Sequence, residues 1–175
     1  MADSAVRNYD ARHLSSRKDY QLQMTNWFEI QIDGISESIT MLQNSMTLPD
    51  RSTPVVDIPF GNSHAKVAGQ AEYADGTLEV NDAILVDTEK EIEAWQNQVY
   101  DPNTGKMGWV NQYKRDMILS QRGPDGTYIR QWKYEGVWPS AVNYGEMSND
   151  SSDRKRISMT LSYDRAYRLD VQNVT

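Results

Sequence analysis

Apolar and polar residues alternate with period two along several stretches of this chain. Phe28, Ile30 and Ile32 alternate with Glu29, Gln31 and Asp33 until Gly34 ends the run. Ile157, Met159, Leu161 and Tyr163 alternate with Arg156, Ser158, Thr160 and Ser162. Such alternation predicts strands with one buried and one wet face. Residues 117–121 and 127–135 flank Gly123-Pro124-Asp125-Gly126, which predicts a hairpin. Its second strand carries bulk on both parities. Tyr128, Trp132 and Tyr134 fall on one side with Arg130, and Ile129 and Lys133 fall on the other. A strand of that kind is expected to be covered on both faces. Gly136-Val137-Trp138-Pro139 then predicts a strand stop, because the proline ring cannot donate to a ladder.

The remaining segments are shorter. Residues 39–43 read as a return strand, with Asp33-Gly34 in the connection. Residues 66–69 and 77–82 read as two more strands, with Asp75-Gly76 as a turn. One helix follows. Thr88 and Glu91 have capping-box spacing, and Ile92, Trp95 and Val99 recur on one face as a core-packing stripe. Glu89, Lys90, Glu93 and Gln96 face away, and Asp101-Pro102 with Gly105 closes the helix. Between residues 44 and 63, Pro49, Pro54, Pro59 and Gly61 exclude a central strand and a helix. Yet this predicted loop holds Met46, Leu48, Val55, Val56, Ile58 and Phe60. Either it folds back on its own core, or it covers a neighbouring subunit. About seven strands and one helix predict a mainly β protein, an antiparallel sandwich or barrel with one flanking α-helix.

Composition narrows the function. A chain of 175 residues favours one domain, read as residues 26–170 behind a flexible arm at 1–25 that carries Arg7, Arg12, Arg17 and Lys18. Only 38% of residues are hydrophobic, which fits solvated faces or a self-assembling subunit. Cysteine is absent, which excludes disulfides and thiolate metal sites. No apolar run approaches a membrane span, and the polar N-terminus does not read as a secretory signal. The net charge of -7 argues against gripping nucleic acid, since affinity for phosphate comes from Lys and Arg.

No chemical constellation emerges. His13 and His64 lack metal-ligand spacing. Asp87, Glu89, Glu91 and Glu93 suit the positive end of a helix dipole. Lys114 and Arg115 form a basic spot too small for a nucleic-acid footprint. Trp95, Trp109, Trp132 and Trp138 with Tyr113, Tyr128 and Tyr134 could form a carbohydrate platform. A core role is preferred, because Trp95 belongs to the helix stripe. No catalytic residue, cofactor or metal is assigned.

Taken in order, these features resemble the tail-tube proteins of contractile-tailed bacteriophages. The matching elements are Asn26-Trp27-Phe28-Glu29-Ile30, Leu48-Pro49, Ile58-Pro59-Phe60-Gly61, Val67-Ala68-Gly69 and the helix around Trp95. Tyr113-Lys114, Glu135-Gly136-Val137-Trp138-Pro139 and the last alternating strand follow. The resemblance covers about residues 26–165, and its most specific motif is Tyr113, Lys114, Gly136, Trp138 and Pro139. It implies a β-barrel subunit that closes into hexameric rings, and rings that stack into a hollow tube inside a contractile sheath. Implied partners are further copies of the chain, the sheath, baseplate and tail-terminator proteins, and genomic DNA passing without specific binding. The implied location is the virion tail, assembled in the host cytoplasm. The fold is shared with the tube protein of type VI secretion. A baseplate-proximal tube initiator and a tube of a phage-derived injection particle are variants of this reading. The candidate inter-ring contacts are Leu48, Pro49, Val55, Ile58, Pro59 and Phe60. The rival from another class is a carbohydrate-binding β-sandwich.

Overall fold

The alternating segments become the strands of one antiparallel sheet. The computed structural model describes residues 22–150 and 152–169, so most of the arm expected at 1–25 lies outside the described residues. Strand β1 (Phe28–Ile32) pairs with β10 (Arg115–Arg122), and β10 pairs with β11 (Tyr128–Asn143) across the predicted hairpin. Strand β12 (Arg156–Ser162) continues the sheet, followed by β7 (Gly76–Asn81) and β2 (Gln43–Met46). Strand β13 (Arg165–Leu169) also pairs with β11, and β8 (Tyr100–Asp101) pairs with β9 (Lys106–Met107) in a small ladder of their own.

The sheet curls until its two edges face each other. The seam is bridged by side chains rather than by a backbone ladder. The Gln43 amide accepts from the Ile30 N–H and donates to the Phe28 carbonyl, both at 2.8 Å, and Thr40 donates to the Ile30 carbonyl at 2.6 Å. These contacts occupy the outer edge of β1, which would otherwise be open to pairing.

The interior is closed by the residues whose parity predicted it. Leu78, Val80, Met117, Tyr134, Ile157, Met159 and Leu161 are fully buried, and Ile30, Ile32, Leu119 and Ile92 join them. Helix α2 (Thr88–Val99) lays Ile92 and Trp95 into this core, with Val99 half-buried beside them. Its N-cap is Asp87, which accepts from the Lys90 N–H at 3.1 Å. The capping box expected at Thr88 and Glu91 is therefore not formed. Glu91 instead binds the N–H and hydroxyl of Ser36, both at 2.6 Å.

Several expectations are corrected. Residues 37–42 form a short helix, α1 (Glu37–Leu42), not a return strand. Strand parity would put Ile39 and Met41 on one face, but Ile39 is buried and Met41 is exposed. A second short helix, α3 (Val110–Tyr113), precedes β10, so α2 is not the one helix. Trp138-Pro139 does not stop a strand. β11 runs on to Asn143 and changes partners on the way, pairing with β13 up to Glu135, with β10 up to Val137 and with β12 from Trp138 onward. A bulge after Pro139 accommodates the missing donor.

The proline-rich stretch is not a loop. After β3 (Arg51–Ser52), strands β4 (Val55–Phe60) and β5 (Ser63–Ala68) form a separate two-stranded hairpin, and β6 (Glu72–Tyr73) returns to pair with β3. The expected strand at 66–69 thus pairs with β4, and Asp75-Gly76 joins no paired strands. Every residue of β4 and β5 is exposed, which rules out folding back on the core.

Candidate functional site

The specific motif converges on the corner where β11 passes from one part of the sheet to the next. The Tyr113 ring meets Trp138 edge-on at 5.8 Å. The Trp95 indole donates to the Tyr113 carbonyl at 2.8 Å, and the Arg115 guanidinium lies over the Trp95 ring at 5.3 Å. Lys114 bonds both oxygens of Asp164, at 2.6 and 2.8 Å. Gly136 has φ +69°, and a Cβ there would lie 2.2 Å from an Asp164 carboxylate oxygen. Glycine is needed at this corner on both counts. Pro139 is buried beneath it. The motif fixes architecture, with Asp164 as the linking residue that the pattern of the chain did not single out.

The aromatic residues do not form a platform. Trp95 and Tyr134 are buried, Trp132 and Trp138 are half-buried, and Trp109 is exposed on its own short helix end. Burial pushes the Tyr134 hydroxyl up, with a smaller contribution from Tyr163, so it stays protonated. Among the described residues no group of three or more His, Asp or Glu is placed to hold a metal ion, and no helix is long and apolar enough to cross a membrane. His64 is exposed on β5.

The large uncovered apolar surfaces are elsewhere, and the β4–β5 hairpin is the first of them. Phe60 and Ser63 flank a two-residue turn, Gly61-Asn62, in which only Gly61 has positive φ. That is a type II′ turn. Its flanking residues exchange backbone bonds, and alternation extends this to the pairs Ile58 with Ala65 and Val56 with Val67. The bond from the Gly69 N–H to the Pro54 carbonyl, 2.7 Å, continues the series. Pro59 therefore turns its missing donor to the outer edge, where strands tolerate proline. Parity also sorts the side chains. Val56, Ile58, Phe60, Ala65 and Val67 share one face, and Val55, Asp57, Pro59, His64 and Lys66 share the other. Of the expected contact residues, Ile58 and Phe60 thus stand on the apolar face and Val55 and Pro59 on the mixed one. Leu48 is exposed and Pro49 half-buried at the base.

The T4-like virus tail tube protein gp19 family matches residues 24–166. The chain belongs to that family. It is 24% identical over 142 residues to the tail tube protein gp19 of Enterobacteria phage T4, covering 79% of this chain and 87% of that one. Its fold is similar to a chain in the sheath-tube complex of an extracellular contractile injection system, PVC, in the extended state. There the identity is 18%, the TM-score 0.70, and 93% of this chain and 99% of the other are covered. It is also similar to a type six secretion system protein, with 10% identity, a TM-score of 0.50 and 81% of each chain covered.

On this tail tube chain the outer face of β1, β10, β11 and β13 is charged but balanced. Glu29 pairs with Arg122, Lys133 with Asp116 at 2.9 Å and Glu135 at 3.5 Å, and Glu135 with Arg165. Tyr167 donates to Glu135 at 2.8 Å. That bond and Arg165 hold the Glu135 carboxyl below its ordinary range, and the bond to Asp116 raises the Lys133 ammonium. Among the described residues the second edge of β13 has no strand partner.

A further uncovered apolar segment is Ala83-Ile84-Leu85-Val86 before α2, where Ile84 and Leu85 are fully exposed. Sequence reasoning missed it. Its signal is a run of four apolar residues with no periodicity, just ahead of a helix cap.

Proposed function

We propose that this chain is the repeating subunit of a tail tube. Six copies close into a ring, and rings stack into a hollow conduit within a contractile sheath. Its function is assembly, not catalysis. The tube would meet baseplate and terminator proteins at its ends, stand in the virion tail after assembly in the host cytoplasm, and let DNA pass without specific binding.

The observation that carries this reading is the uncovered apolar face of the β4–β5 hairpin. An isolated two-stranded ribbon is marginal in water, and an alternating strand implies cover for its dry face. The described residues offer no such cover, and in this reading a second copy supplies it across the ring stack. Ile58 and Phe60 anchor the contact, and Leu48 and Pro49 support the base. The open edge of β13 is the place where a neighbour's strand extends the sheet, since unpaired edges are templates for pairing. A subunit with two such surfaces can close laterally and propagate axially.

Negative-stain microscopy tests the proposal. The wild-type chain should form rings or hollow filaments of constant width. Phe60→Asp should leave a folded monomer that does not polymerise. Full-length tubes from that variant would sink the hairpin assignment.

A further inference from the structure

The β4–β5 hairpin stands free, but its root does not. The chain enters it through residues 47–52 and leaves it through residues 72–76. These two legs are tied together. The Thr47 N–H donates to the Thr77 carbonyl at 3.0 Å, the Ala74 N–H donates to the Asp50 carbonyl at 3.1 Å, and β3 pairs with β6. Beyond β3 and β6 the ladder is interrupted at 53–54 and 69–71, and the joint is closely packed. The Gly69 N–H donates to the Pro54 carbonyl at 2.7 Å. A Cβ on Gly69 would lie 3.0 Å from that oxygen and 3.2 Å from the Pro54 ring. Proline fixes φ on one leg, and glycine lets the other leg come close. A direction set at the root therefore carries to the tip.

Tyrosines of the core hold that root. Tyr134 is fully buried on β11, and its hydroxyl donates to the Thr47 carbonyl at 3.3 Å. A phenylalanine would fill the same space in the core. What the hydroxyl adds is this bond to the incoming leg, without which its burial would be costly. Tyr163 packs edge-on against Tyr134, with ring centroids 5.1 Å apart, and also meets the Tyr73 ring of the outgoing leg at 5.8 Å. Burial pushes the Tyr163 hydroxyl up, and a hydrogen bond from the Asp50 backbone acts the other way, so the incoming leg lies beside this tyrosine too. Three rings thus run from the fully buried core at Tyr134 to the half-buried Tyr73 at the foot of the ribbon.

We infer that Tyr134 and Tyr163 are positioning residues for the hairpin: together they fix the angle at which it leaves the subunit body. The consequence for assembly rests on the proposed function, in which the hairpin is the contact between rings. A ribbon that swung freely would have to be ordered each time a subunit is added, whereas one held at its root is ordered beforehand. Two buried residues that touch no partner thereby ready Ile58 and Phe60 for contact.

The absence of cysteine lets paired spin labels report this angle in the monomer. Labels on Lys66→Cys and Arg130→Cys measure hairpin to body, and labels on Asn111→Cys and Arg130→Cys measure body to body. With both tyrosines present, the two distance distributions should be narrow. Tyr134→Phe keeps its ring in the core, so the body distribution should stay narrow while the hairpin distribution broadens about two-fold. The yield of tubes at matched concentration should fall several-fold. Tyr73→Ala lies outside the fully buried core and should broaden the hairpin distribution likewise, which serves the test if Tyr134→Phe does not fold. An unchanged hairpin distribution in both variants would overturn the positioning role and leave the tube reading standing. So would broadening of hairpin and body distances together, or a broad hairpin distribution with both tyrosines in place. Broadened hairpin distances with undiminished tubes would uphold the positioning role and count against the hairpin as the contact between rings.

Discussion

Strands β12 and β4 follow the same rule with opposite outcomes. In β12, Ile157, Met159 and Leu161 alternate with Ser158 and Thr160, and all three apolar residues are fully buried in the core of the curled sheet. In β4, Val56, Ile58 and Phe60 alternate with Val55, Asp57 and Pro59, and all six are exposed. Alternation specifies that a face be covered but not by what. The first strand finds its cover within the chain. The second leaves its apolar face uncovered among the described residues, and the proposed function assigns that face to assembly.

The largest expected effect separates the two strands. Leu161→Ala removes buried atoms from a closed core and should cost about 2–5 kcal/mol of monomer stability, read from urea denaturation. Phe60→Ala should change the same measurement by less than about 0.5 kcal/mol, because an exposed side chain loses little burial. Its effect should appear in tube formation seen by microscopy. Equal losses of monomer stability from the two substitutions would mean that the hairpin is covered within its own chain.

How far the pattern of residues could be read follows the same division. The strands around the core were legible because parity and burial coincide there, as at Ile30, Ile32, Met159 and Leu161. The helix stripe at Ile92 and Trp95 was legible for the same reason. Residues 37–42 were not, since Ser-Ile-Thr-Met-Leu is too short to establish a period and the seat for Ile39 is tertiary. Pro59 and Pro139 misled in a related way. Each removes a donor, but one sits on a solvent edge and the other at a bulge, and neither position can be inferred without the strand's partners. Ile84 and Leu85 left no periodic trace, because they stand in an irregular turn segment rather than in a strand or helix.

A middle-sized effect tests the corner that joins the two parts of the sheet. Gly136→Ala places a Cβ 2.2 Å from an Asp164 oxygen at φ +69°, and should cost about 1–3 kcal/mol in the monomer. Gly61, at the hairpin tip, also has positive φ, but nothing lies within 4 Å of the added atom. Gly61→Ala should weaken the hairpin locally and leave global unfolding almost unchanged, as read by hydrogen exchange. Adding Asp164→Ala to Gly136→Ala should recover the part of the loss due to contact and not the part due to φ. No recovery would show that backbone strain alone requires the glycine.

The smallest effect concerns the wet face of the self-covered region. Glu135 accepts from Tyr167 and pairs with Arg165, and both lower its pKa from the ordinary 4.5. A carboxyl depressed in the folded state stabilises fully above its unfolded pKa, and that contribution is lost as pH falls through the folded value. Between neutral pH and about 4.5 this group should therefore leave stability flat, with the loss confined to more acid solution. Solvent reaches the partly exposed side chain and screens the pair, so the effect should be shallow. The test compares urea midpoints of the wild type and Glu135→Gln as pH is lowered. The wild type should fall more steeply below about 4.5, and the curves should converge in strong acid. Parallel curves would show that these hydrogen bonds are as strong in the protonated state, and that the balanced charges of this face contribute to its solvation rather than to the stability of the sheet.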